Sequence, residues 1–401
     1  MARTILVKKE NMKICIVTTS MPRYEDDNRS PFILDLALAS QRQGKNISLV
    51  TMHSPGFPIE ENIRGVPIWR LRYAKDSQER LDLTRAGIPA AWKSSRVTGI
   101  YLFKLLVKFT SYLITNGKKY DILHSNWTIA AFASILSKPF HNRPILVTLH
   151  GSEVYSSKKV LGLRVFTRWV LHHCNHVVCV SNALKEEVIA LGLPETKVSV
   201  IPNGVNTLDY LPQNEPKNPI ILFIGSLTEQ KGVKYLLEAF ADVNRCFQDS
   251  KLRIVGEGPE LENLITLTQQ LGIEENVTFD GVVAHSKVST IMQESSIFVL
   301  PSENEGFGLV LLESLANGLP AIAFNSGGVR DILSEGAGIL VEPGNVEQLA
   351  NAIKNLITDK DLYAQIRKQG FQKSKNFSWE IVATKVSDIY ESILEGNEKT
   401  N

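Results

Sequence analysis

The sequence predicts an α/β protein built from two doubly wound domains in tandem. Three observations point there. Its 401 residues are about twice what one compact domain usually needs. Short β-branched runs alternate with helical patterns along the whole chain, and a proline-rich break at 202–219 divides them into two series. Apolar residues at 43% and charged residues at 21% exclude a disordered, collagenous or coiled-coil chain. No apolar run approaches the roughly 18 residues of a membrane span. The opening MARTILVKKENMK lacks a long apolar stretch with a small-residue cleavage site, so no secretory signal is expected. Cys15, Cys174, Cys179 and Cys246 are too few for a disulfide framework, and a reduced, cytoplasmic protein is expected.

In the first series, 13–19 (KICIVTT) and 46–51 (NISLVT) read as buried parallel strands around the amphipathic stretch 32–43. Further strands are expected at 120–124, 144–149, 176–180 and 197–201, each followed by a turn or a helical pattern. The series restarts at 220–224 (IILFI). Lys231-Gly232 opens a helix whose Val233, Leu236, Leu237, Phe240, Val243 and Phe247 fall at helical spacing. Strands follow at 251–255, 276–279, 297–300 and 320–323, and ligands of such folds sit at the carboxyl ends of the strands. The helical stretch 379–394 comes long after the last strand and need not belong to the second sheet.

Net charge is +2, but it is unevenly placed. Residues 1–203 carry 28 Lys and Arg against 15 Asp and Glu, while 204–401 carry 16 against 27. Either the halves face different partners, or two solvated surfaces simply differ.

The segment PSENEGFGLVLLESLANGLP, 301–320, carries the most chemistry. It leaves a strand and enters a helix, with Gly306 and Gly308 flanking Phe307 at the start. The amides of Gly308, Leu309 and Val310 can then point at an anion. Glu305 precedes the helix and Glu313 lies two turns in. An acid at a helix start is also an ordinary dipole-stabilising device, which accounts for Glu305 alone but not for the second acid.

Residues 305–313 resemble the E-x7-E signature of retaining glycosyltransferases of family 4, which have the GT-B architecture. HGSEVY (150–155), VSNAL (180–184), PNGVN (202–206), GSLTEQKG (225–232), IVGEGPE (254–260), NVTFDGVV (276–283) and GGVRDI (327–332) match that family in order. The resemblance implies two Rossmann-like domains facing across a cleft: 1–205 plus 377–401 for the acceptor, 206–376 for the nucleotide sugar. The C-terminal helix would cross back to the first domain, so a chain ending at 376 is expected to be unstable or inactive. The cleft would close by rotation about hinges near 203–219 and 373–378. Catalytic roles fall to Glu305 beside the donor sugar, His150 near its anomeric centre, and Lys231 on the diphosphate. Donor-binding roles fall to Ser226, Val283, Phe307, Gly308, Leu309, Val310 and Glu313, with Glu313 on the ribose and the backbone of Val283 at the base. Glu153 is the acceptor-side candidate.

Two departures stand out. Ser226 occupies the place where many members carry an arginine, and the loop 18–32 is long and lacks glycine, so its usual contacts do not carry over. His150 also has an ordinary reading as a strand-end histidine.

Other signals have plainer readings. His172, His173, Cys174, His176 and Cys179 resemble a metal cluster, but a strand at 176–180 would separate them. Gly256-Glu257-Gly258 lacks the third glycine of a dinucleotide fingerprint. Asp359 and Asp361 form a D-x-D in a helical surface region. The stretch 80–119 holds eight basic residues, one acid and interleaved aromatics. It reads either as a peripheral contact with anionic membrane or as a helix with lysines outward. No nucleic-acid motif accompanies the charge.

The expected function is transfer of a hexose from a nucleoside diphosphate sugar, uridine rather than guanosine, to a glycan or lipid-linked acceptor. No cofactor and no metal are expected. The alternatives are a non-catalytic sugar-nucleotide binder, which Ser226 would suit, and a GT-B epimerase, which the paired acids argue against.

Overall fold

The computed structural model describes residues 11–79, 81, 98–208 and 219–398. It divides into two units, Met1–Gly204 with Trp379–Asn401, and Val205–Ser378.

The first unit runs β1 (Lys13–Val17), α1 (Pro31–Arg42), β2 (Asn46–Met52), β3 (Glu60–Ile63), β4 (Val66–Leu71), α2 (Thr98–Asn116), β5 (Ile122–Asn126) and α3 (Trp127–His141). It continues with β6 (Ile145–Leu149), α4 (Ser152–Lys159), α5 (Leu161–His173), β7 (His176–Cys179), α6 (Asn182–Ala190) and β8 (Val198–Val200). The eight strands lie in the order β3-β4-β2-β1-β5-β6-β7-β8, parallel except for β3. Strands β5 and β6 are buried along their whole length; β6 (ILVTL) is almost wholly apolar, whereas β5 (ILHSN) buries the polar His124, Ser125 and Asn126.

The hairpin β3–β4 was not expected. Its turn places Arg64 (φ 53°) and Gly65 (φ 91°) both in the left-handed region, the geometry of a tight hairpin turn. Acidic Glu60 and Glu61 and the in-strand Pro67 hide its pattern in the sequence, and they suit a sheet margin.

The second unit runs β9 (Ile220–Ile224), α7 (Val233–Cys246), β10 (Lys251–Val255), α8 (Leu261–Leu271), β11 (Val277–Gly281), α9 (His285–Gln293), β12 (Ile297–Leu300) and α10 (Leu309–Ala316). It ends with β13 (Ala321–Phe324), α11 (Val329–Leu333), β14 (Ile339–Val341), α12 (Val346–Thr358) and α13 (Lys360–Ser374). Its sheet is β11-β10-β9-β12-β13-β14, all parallel. The three-residue β14 was also not expected.

The C-terminal helix, Trp379–Glu398, belongs to the first unit. Trp379, Val382, Ala383, Val386 and Tyr390 join the core that Ile33, Leu34 and Ala37 of α1 build on the sheet. Trp379 covers Gly204 so closely that a Cβ there would fall 2.4 Å from the indole. Burying side chains of this size contributes about 1.5–3 kcal/mol each, a sum comparable to the whole stability of a domain. That is the physical basis for expecting a chain ending at 376 to fail.

One polar contact pins this helix. The Tyr390 hydroxyl lies 2.7 Å from His124 Nδ1, and His124 Nε2 lies 2.8 Å from the Thr148 hydroxyl. Burial holds His124 neutral and lowers its pKa to about 3; His150 is likewise lowered to about 3 and His141 to about 4. In the unfolded chain these imidazoles titrate near 6.5, so between that pH and about 3 the unfolded state binds more protons. Their effect is therefore fully favourable to folding above about pH 6.5 and is lost progressively as pH falls toward 3. Denaturant titrations from pH 7 to 4 should show falling stability, with a shallower slope in His124→Gln. An equal slope in that variant would remove His124 from the account.

Candidate functional site

Two clusters stand at the carboxyl ends of the strands, one in each unit. In the second unit the loop after β9 makes a single 3-10 turn, Glu229–Lys231, in which the Lys231 amide donates to Thr228 O at 3.0 Å. The loop after β12 carries Glu305. Because β9 and β12 are paired neighbours, these loops emerge side by side, and Lys231 Nζ lies 2.6 Å from Glu305 Oε2. The Tyr235 hydroxyl donates to Glu303 at 2.8 Å and ties α7 to the same loop.

Glu305 is fixed through its backbone. Its carbonyl accepts from the Gly328 amide at 2.9 Å, and a Cβ on Gly327 would fall 2.0 Å from that oxygen. Only glycine permits this approach. Gly308, at φ 96°, then starts α10. Helix geometry leaves the first amides of α10, from Leu309 onward, without intrahelical acceptors, so they form a positive rim beside the lysine. Glu313 is the fifth residue of α10, about one turn in rather than the two expected, and is half-buried.

The remaining expected positions behave differently. Ser226 is exposed on the loop after β9, and Val283 is half-buried after β11. Leu309 and Val310 are half-buried at the head of α10. Phe307 is 3% exposed and packs on Phe377, ring centroids 6.2 Å apart, so its side chain serves the core and only its backbone remains for a ligand. Ser302, fully buried on the same loop, has an unpartnered hydroxyl that the sequence did not single out.

The first unit's cluster is centred on His150, at the end of β6. Its Nε2 lies 2.9 Å from Asn126 Oδ1, at the end of neighbouring β5. The Asn126 carbonyl accepts, so the neutral ring carries its proton on Nε2, and Nδ1 keeps a lone pair. The low pKa comes from burial first and the nearby His124 second. His150 Nδ1 and Asn126 Nδ2 are both buried without a partner, an acceptor and a donor prepared for polar groups. Trp127 and Phe32 flank the imidazole at 4.6 and 4.8 Å. Trp127 holds φ 65°, a strained backbone for a bulky residue and of a kind that collects at functional sites. Asn126 and Trp127 were missed because only the pairing of β5 with β6 brings them to His150.

Glu153 does not reach outward. Its carboxylate accepts from the His150 amide at 3.1 Å and from the Ser152 hydroxyl at 3.3 Å, fastening the loop that presents His150. Burial raises its pKa, against those hydrogen bonds. Both bonds engage its carboxylate within its own loop.

The loop 18–32 is tied down by Arg70, whose guanidinium donates to Pro22 O and Arg23 O, and by the Arg23–Asp27 pair at 2.7 Å. The histidine and cysteine run is dispersed. His172 Nδ1 bonds Arg168 O, His173 stacks on Trp169, and His176 bonds Ser199. His53, Asp76 and Glu79 do converge, but Glu79 and Phe57 O already occupy both nitrogens of His53.

Comparison with known proteins agrees with this fold. The family described as Glycosyltransferase Family 4 matches residues 31–208, and Glycosyl transferases group 1 matches 211–373. A phosphatidyl-myo-inositol mannosyltransferase of Mycobacterium leprae is 30% identical over 288 residues, 70% of this chain and 75% of that protein. Sucrose-phosphate synthase of Thermosynechococcus elongatus superposes with a TM-score of 0.79 at 21% identity, over 96% of this chain and 100% of its own. HepE of Anabaena, in complex with UDP-glucose, gives 0.74 at 18%, over 95% and 100%.

An anion arriving at Lys231 must compete with the Glu305 carboxylate. Glu305→Gln should therefore bind pyrophosphate more tightly, by roughly fivefold for a partly exposed pair of about 1 kcal/mol. Calorimetric titration reads this directly, and an unchanged or weaker affinity would mean that the pair does not gate the lysine.

Proposed function

Since the chain belongs to glycosyltransferase family 4, with a group 1 second half, we propose that it transfers a hexose from a nucleoside diphosphate sugar to a glycan or lipid-linked acceptor with retention of anomeric configuration. The observation that carries this reading is the meeting of Lys231, Glu305 and the start of α10, with Glu313 about one turn into that helix.

The second unit would hold the donor and the first the acceptor. The ribose hydroxyls suit Glu313, and the base lies against the backbone near Val283. The diphosphate suits Lys231 and the amides of α10, and Glu305 turns to the sugar. As the glycosidic bond breaks, positive charge develops on the sugar ring and negative charge on the leaving phosphate. With Glu305 turned away on donor binding, Lys231 and the helix amides are already in place to stabilise that phosphate as the bond breaks. The acceptor hydroxyl attacks from the same face, and its proton passes to the departing phosphate oxygen. This route needs no metal and no carboxylate nucleophile. His150, neutral and with Nδ1 open, is suited to accept a hydrogen bond from a sugar hydroxyl.

Uridine diphosphate is the favoured carrier, supported by HepE, which was crystallised with UDP-glucose. The four cysteines are free thiols, in keeping with work in the cytoplasm. Among the described residues no helix is long and apolar enough to cross a membrane. Ser226, exposed where many relatives have arginine, leaves Lys231 as the diphosphate's cation and favours one rival, a binder that does not turn over.

Steady-state release of UDP from UDP-sugars separates the two readings. Active protein should release UDP, and Lys231→Ala and Glu305→Ala should each slow release by about 10²-fold or more. Near-wild-type rates in both variants would refute the assignment of these residues. Absence of release from any nucleotide sugar, with binding intact, would favour the binder.

A further inference from the structure

The crossovers β4–α2–β5, β5–α3–β6 and β6–α4–α5–β7 all step the same way along the first sheet. Right-handed crossovers therefore put α2, α3 and α5 on one face, with α3 in contact with both neighbours. None of the three helices contains an acid, and between residues 98 and 152 the only one is Asp121. Each helix begins at the carboxyl edge of the strands, and there the surface is unusual. Phe103 on α2 is 65% exposed, and Leu161 and Val165 at the start of α5 are 78% and 61% exposed. Ile100, Val107 and Leu163 extend the two apolar ridges.

On α2 the buried residues Leu105, Phe109 and Leu113 occupy the opposite side, so Phe103 and its neighbours point away from the core by helical geometry. Lys104, Lys108, Arg164 and Arg168 are exposed among these apolar residues. Among the described residues no acid pairs with any of the four. Exposed apolar clusters of this size mark interaction surfaces.

We propose that this face docks on an anionic lipid bilayer, with the α2 and α5 ridges entering the headgroup region and the four cations on lipid phosphates. The charge selects the partner class: three neighbouring helices that carry cations and no acid suit a polyanion. The exposed apolar residues among these cations select a bilayer over a soluble polyanion, which would leave them in water. Of the expected basic stretch 80–119, α2 takes part; residues 80 and 82–97 lie outside the described residues, and the α5 ridge was not foreseen. The docking stands whether or not the transfer reading holds, because it uses none of the site residues.

The test is co-sedimentation of the full chain with phosphatidylcholine vesicles, with and without phosphatidylglycerol, in low and high salt. Binding to the mixed vesicles that weakens with salt, with little binding to phosphatidylcholine alone, is expected. Phe103→Glu with Leu161→Glu should lower the partition by about tenfold or more, and Arg164→Glu with Arg168→Glu by a comparable factor. Thermal melting checks that each variant remains folded, and Leu161→Ser serves as a milder version if one does not. No pelleting with mixed vesicles at low salt would overturn the proposal, as would equal pelleting of the folded variants. A wild-type dimer in light scattering that Leu161→Ser dissociates, with vesicle binding unchanged, would assign the face to a second copy of the chain instead.

Discussion

The Lys231–Glu305 contact is the constraint around which the second unit is arranged. The two residues are 74 positions apart, and they meet because β9 and β12 are adjacent parallel strands whose loops emerge at the same edge. Several backbone features then hold the carboxylate in place. Gly327 admits the Glu305 carbonyl where any Cβ would clash, the Gly328 amide bonds it, and Gly308 turns the chain into α10. A partly exposed ion pair contributes little to stability. So much supporting structure around so weak a pair argues that its position serves chemistry.

Net charge alone would have pointed elsewhere. The second half of the chain is strongly acidic, yet the proposed ligand is a diphosphate. Binding depends on the local field, and on the proposed reading that field comes from Lys231 and the first amides of α10. On the same reading Glu305 and Glu313 would accept from the sugar and ribose hydroxyls. The first unit follows the complementary logic. Its cations lie on an outer face, while His150, neutral by burial, and Asn126 provide uncharged polar groups inside.

Much of the fold was legible because buried parallel strands leave continuous apolar runs, as in β1, β9 and β12. The helix at the C-terminus was legible because Val382, Val386 and Tyr390 repeat at helical spacing. The β3–β4 hairpin was not, since acidic residues and Pro67 at a sheet margin break the pattern, and β14 is too short to leave one. The site was half legible. Residues fixed by local sequence, such as the glycines and acids of 305–313, could be found from spacing. Asn126 and Trp127 could not, because their meeting with His150 is a product of sheet register. Phe307 and Glu153 were placed by motif, but their side chains face the core and the local loop, which only packing reveals.

The central claim is that Lys231 holds the diphosphate of a nucleotide sugar. Calorimetric titration of UDP and of uridine into wild-type protein and Lys231→Met tests it most directly. The account predicts that UDP binding weakens by about tenfold or more in the variant while uridine binding is unchanged, since removal of a charge-assisted contact costs about 1.5–3 kcal/mol. Equal UDP affinity in the two proteins, or an equal loss for both ligands, would contradict it.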